Sequence, residues 1–92
     1  MPKLSYPLNT YIKAAEKLAK AKGFSKIEYY SKSGSGWRFE VFLGSETVPT
    51  SFWVIHTEHT KRKEITSTED YKKAIRVLNA TLEEFLEILK QC

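Results

Sequence analysis

Apolar residues recur at helical spacing towards both ends of the chain and alternate through its middle. Leu8, Ile12, Ala15, Leu18 and Ala19 follow the three-and-four spacing that brings side chains onto one helix face, so they mark a buried stripe. Asn9 is placed to cap this helix, and Gly23 to end it where a left-handed residue is needed. Lys13, Lys17 and Lys20 keep the same period on another face, which predicts a helix with one apolar side and one lysine stripe.

The period then falls to two. Around Phe24–Ser31, Ile27 and Tyr29 share one face of a strand while Glu28 and Tyr30 share the other. In Trp37–Leu43, Trp37, Phe39, Val41 and Leu43 lie on one side, with Arg38, Glu40 and Phe42 on the other. Gly34-Ser35-Gly36 separates the two segments as a hairpin turn. "GSETVPT" is a turn-rich connection whose Pro49 cannot donate within a central ladder. A third strand, Phe52–Thr57, is almost continuously apolar, which predicts cover on both faces.

"HTEHTKRKE" reads as a polar, basic loop. Ser67 and Asp70 are placed to cap a second helix, with Tyr71, Ala74, Ile75 and Leu78 on its apolar face. Asn79-Ala80-Thr81 breaks that pattern. Thr81 and Glu84 then form a capping box for a last helix that turns Leu82, Phe85, Leu86 and Leu89 inward. The order α-β-β-β-α(-α) predicts a single α+β domain over residues 1–92, a three-stranded antiparallel sheet with helices packed on one face. No internal repeat or low-complexity segment interrupts it.

Composition narrows the class. With 41% hydrophobic and 28% charged residues the chain is that of a folded domain, not a disordered one. Its one thiol, Cys92, rules out an internal disulfide and suits a reducing compartment. No apolar run approaches the ~18–20 residues of a membrane span, and "MPKLSYPLNTY" lacks the apolar core of a secretory signal. These features predict a cytoplasmic protein that does not engage a membrane.

The net charge of +4 is unevenly spread: residues 1–33 hold seven lysines against Glu16 and Glu28, and Lys61, Arg62 and Lys63 add a second basic run. Such clustering predicts a face for a polyanion, most commonly nucleic acid or an anionic membrane, with an ordinary solvated surface as the plainer alternative.

Candidate chemistry is limited to a few positions. The Gly34-Ser35-Gly36 turn can offer backbone amides to a phosphate, although ordinary hairpins use the same residues. His56 and His59 are the only imidazoles, and three cations follow them. Cleaving RNA without a metal requires a base for the 2′-hydroxyl, an acid for the leaving oxygen and cations for the charge on the phosphorane. Imidazole titrates near neutral pH and can fill either proton-transfer role. His59, and after it His56, are therefore the candidate catalytic residues of a metal-independent endoribonuclease. His56 is equally explained as a sheet-edge residue sharing parity with Phe52 and Val54, and His59 as a loop residue. One Cys and two His three residues apart are too few for a closed zinc site, and no phosphate-binding glycine loop is present, so no metal or cofactor is expected. The candidate RNA-binding residues are Lys13, Lys17, Ser35, Trp37, Arg38, Lys61, Arg62 and Lys63.

Both ends of the chain resemble a known family. "MPKLSYPLNTYIKAAEKLAKAKGF" resembles the opening of HicA-type toxins, in which a Pro-Leu stretch leads into a helix ending in Gly-Phe. "KAIRVLNATLEEFLEIL" is similar to the tail of longer members, and "VIHTEHTKRKEI" to the family's strand ending in Val/Ile-x-His ahead of Glu-Ile. The resemblance implies a double-stranded-RNA-binding-like fold, ribosome-independent mRNA interferase activity, and a HicB-like antitoxin as partner. In that family the catalytic histidine follows a Gly-Ser pair at the first hairpin. Here Gly34-Ser35 is followed by Gly36-Trp37. Catalysis then falls to His59 or His56, or the protein binds RNA without cutting it.

"KIEYYSKSGSGWRFEVFLG" is also similar to the strand segment of a non-catalytic double-stranded-RNA-binding module, which grips A-form RNA through phosphates and 2′-hydroxyls. The Ala-rich last helix of such modules is missing. A third reading is an adaptor that docks a protein through exposed Trp37 and Phe42. The oligomeric state is not legible in the sequence.

Overall fold

The computed structural model describes residues 5–31, 36–55 and 64–92. Through them the chain forms β1 (Tyr6–Pro7), α1 (Leu8–Ala21), β2 (Lys26–Ser31), β3 (Trp37–Phe42), β4 (Ser51–Ile55), β5 (Glu64–Ile65), α2 (Thr68–Leu78) and α3 (Leu82–Gln91). The expected α-β-β-β-α-α order is present, and the fold is α+β. Strands β2, β3 and β4 make one antiparallel sheet in that order, with Ser31 opposite Trp37 and Trp37 opposite Ile55. The short strands β1 and β5, which no periodicity announced, form a separate ladder pairing Tyr6 with Ile65 and Pro7 with Glu64.

That ladder explains why Asn9 is not the cap of the first helix. Pairing with β5 holds Tyr6 and Pro7 extended, so Pro7 takes the N-cap position at φ −58° and ψ 149° and the helix starts at Leu8. Asn9 falls in the first turn and is exposed.

The helix ends follow the expected chemistry more closely. Gly23, at φ +92°, closes α1 in a Schellman motif: its N–H reaches the Lys20 carbonyl and the Phe24 N–H reaches that of Ala19, at 3.1 and 3.0 Å. Asn79 plays the same part after α2 at φ 55°, with the Ala80 N–H donating to the Ile75 carbonyl at 2.9 Å. Ser67 occupies the N-cap of α2 but makes no side-chain cap bond. Thr81 and Glu84 form the full capping box of α3, in which each side chain accepts from the other's backbone N–H at 3.2 and 3.0 Å. Lys22, the C-cap residue of α1, meets Glu84 at 2.7 Å, and this contact, followed by the bond from Thr81, holds the Glu84 carboxyl below its usual pKa.

All three helices pack on one face of the sheet. Trp37, Phe39 and Val41 of β3 point into the core with Trp53 and Ile55 of β4, against Leu8, Tyr11, Ala15 and Leu18 of α1 and Phe85 and Leu89 of α3. Tyr11 is the centre of this core. Its ring lies 5.5 Å from each of Phe39, Tyr71 and Phe85, and its hydroxyl donates to the Asp70 carbonyl at 2.7 Å while accepting from Trp53 Nε1 at 3.0 Å. Burying the polar ends inside an aromatic cluster is tolerable because each has a partner.

Candidate nucleic-acid interface

The first helix supplies the clearest cationic surface. At roughly 100° per residue, Lys13, Lys17 and Lys20 fall opposite the stripe of Leu8, Tyr11, Ile12 and Ala15, so the packing that buries the stripe turns the lysines outward. All three are exposed, and none has an acidic partner among the described residues. Charge left unneutralised on a rigid helix is what a phosphate backbone requires of a protein surface. The β1–β5 ladder sets Glu64 opposite Pro7, the residue that caps α1.

Arg38 is not gathered with these lysines. It alternates with core-facing Trp37 and Phe39 and therefore stands on the outer face of the sheet, the side without helices. There its Nε meets Glu40 Oε2 at 2.8 Å, and its guanidinium lies 3.8 Å from the centroid of the Phe52 ring. The Tyr30 hydroxyl also donates to Glu40, at 3.4 Å. The expectation of one basic side holding both Lys13 and Arg38 is corrected by the pleat.

Trp37 is corrected as well. It is only 7% exposed, with its ring 6.3 Å from Tyr29 and its indole N–H without an acceptor among the described residues. Alternation with Phe39 and Val41 commits it to the core and keeps it from presenting itself to a ligand. Phe42 is buried too, covered by the Lys26 ammonium at 4.3 Å and bordered by the Gly44–Thr47 turn. An adaptor surface made of Trp37 and Phe42 therefore does not exist. Leu43, expected inside, lies beyond the end of β3 and is exposed.

Ser35, Lys61, Arg62, Lys63 and both histidines, His56 and His59, lie outside the described residues, as does the Gly34-Ser35 pair. Among the described residues no group of three or more His, Cys, Asp or Glu comes together as a metal site, and no helix is long and apolar enough to cross a membrane.

Residues that the sequence did not single out stand on the sheet's outer side. Phe52 is 51% exposed, so β4 is not covered on both faces, and Tyr30 of β2 is 46% exposed on the same side. Beside Phe52 an open groove of about 390 Å³ runs between β4 and α2 and includes Val54, Lys73, Arg76 and Val77. The parity of Phe52 with Val54, against Trp53 with Ile55, was the available signal for the first. Lys73 and Arg76 carried none, because their role depends on α2 lying beside β4.

Compared with known proteins, the chain matches no family model, no curated protein and no solved structure.

Proposed function

We propose that this chain is a HicA-like RNA-binding protein, the toxin component of a toxin–antitoxin pair, acting on RNA in the cytoplasm. The observation that carries RNA binding is the outward lysine stripe of α1, Lys13, Lys17 and Lys20, which has no acidic partner among the described residues and offers a polyanion three cations on one helix. Lys61, Arg62 and Lys63 extend the contact to the phosphate backbone, and His59 or His56 supplies proton transfer if the strand is cut, without a metal ion. A HicB-like antitoxin would hold the protein inactive by covering this surface.

Lys13→Gln and Lys17→Gln should each weaken binding to RNAs of different sequence alike and lower the slope of log affinity against log salt by about 1. An affinity that does not change with salt would end the reading. Cleavage of labelled RNA in the presence of a chelator, lost in His59→Ala or His56→Ala, would support the enzyme. Full cleavage by both variants would remove the histidines. Growth arrest on expression, relieved by a co-expressed neighbouring gene, tests the antitoxin.

The second reading is a double-stranded-RNA-binding module that does not cut, and it is favoured by Gly36-Trp37 standing where the family keeps its histidine. Tight duplex binding with unaffected growth would select it.

A further inference from the structure

The outer side of the sheet has a ligand-binding character of its own. Arg38 on β3 covers one side of the Phe52 ring, and Phe52 also lines the groove between β4 and α2. Lys73, Arg76 and Val77 sit at i, i+3 and i+4 of α2 and so share the helix face that lines that groove. Lys73 Nζ donates one hydrogen bond to the Val54 carbonyl at 3.1 Å, which leaves two of its N–H donors. Among the described residues the Arg76 guanidinium meets Glu69, at 3.4 Å on the exposed surface. Among the described residues no carboxylate lines the groove. It combines a flat aromatic wall, the valine side chains of Val54 and Val77, and two cations.

A ligand that fits has a planar face with an anionic group beside it, which is the chemistry of a nucleotide. A peptide added as a strand fits less well, because Lys73 already occupies a carbonyl on the open edge of β4. A base within a duplex is also unsuited, since its faces are stacked against its neighbours.

We propose that this groove binds single-stranded RNA, with an unpaired base stacked on Phe52 and flanking phosphates held by Lys73 and Arg76. Tyr30 lies two strands away, about 10 Å across the sheet, and receives a second base of the same strand. The assignment rests on the RNA-binding reading but uses a different surface from the lysines of α1, which point away from the core on the helix side. The two surfaces would let the protein hold a duplex and an adjoining unpaired strand together.

The test is a fluorescence-anisotropy titration of the full chain with a short labelled oligouridylate, which is unstructured, and with a blunt RNA duplex. Phe52→Leu should lower affinity for the single strand about tenfold and leave duplex affinity unchanged. Phe52→Trp should keep single-strand binding, and Arg76→Gln should reduce its salt slope by about 1. Circular dichroism of each variant checks that the fold is retained. If Phe52→Leu binds the single strand as the parent does while duplex binding persists, the groove assignment is overturned and RNA binding by α1 survives. Failure of the parent to bind either RNA overturns both. A parent dimer that Phe52→Leu dissociates would give the face to a second copy of the chain and overturn the assignment.

Discussion

Tyr11 shows how much one side chain carries in a core of this size. Its hydroxyl bridges the Asp70 carbonyl of α2 and Trp53 Nε1 of β4, while its ring touches the sheet and both later helices. Tyr11→Phe keeps the ring and leaves the Trp53 indole N–H buried without a partner. The expected loss is about 1–2 kcal/mol, measurable by urea denaturation. A variant as stable as the parent would show that the hydroxyl contributes nothing. Burial also pushes the Tyr71 phenol up to about 12, and Tyr11 is raised further for the same reason. Below about pH 10 both folded and unfolded phenols keep their protons and the term is constant. Above it the unfolded chain ionises first, so stability should fall from pH 10 towards 12. The urea midpoint measured across that range checks the sign, and Tyr71→Phe should flatten part of the decline.

At the scale of elements, the helix ends hold most of what can be tested. Asn79 sits at φ 55°, the left-handed region that a short polar side chain tolerates better than most. Asn79→Gly should therefore be neutral or slightly stabilising, whereas Asn79→Ala should cost about 1 kcal/mol, both read from thermal melting. Equal melting temperatures for the two would mean that the left-handed turn is not a constraint. The sequence showed Asn79 only as part of a break in the pattern and not as a left-handed cap, whereas the Gly23 end and the Thr81–Glu84 start were legible because their local chemistry is not overridden by tertiary packing. The alternation of Trp37, Phe39 and Val41 was legible for the same reason. The start of α1 was not: pairing of Pro7 with Glu64 joins residues 57 positions apart, and two-residue strands show no period. Phe42 was misjudged because its cover comes from Lys26 and a turn that alternation cannot foresee.

At the scale of the whole molecule, the lysine stripe of α1 and the cations beside Phe52, which are Arg38 of β3 and Lys73 and Arg76 of α2, lie on different sides of the core. The helix stripe could be read from period alone, but separating Arg38 from it required knowing which side of the sheet the helices cover. Because the surfaces lie on different sides of the core, Lys17→Gln and Phe52→Leu should act independently on binding to an RNA carrying both duplex and single-stranded parts. A double-mutant cycle should close to within about 0.3–0.5 kcal/mol. A larger coupling energy would mean that one contact region serves both. The bond from Lys73 to the Val54 carbonyl also makes the sheet's two margins unequal. On one side an ammonium plugs the position where a neighbouring molecule's amide would dock. Along β2 the exposed, paired charges of Lys26 and Glu28 are what guards the margin among the described residues, so a strand added from another molecule meets less obstruction there than along β4.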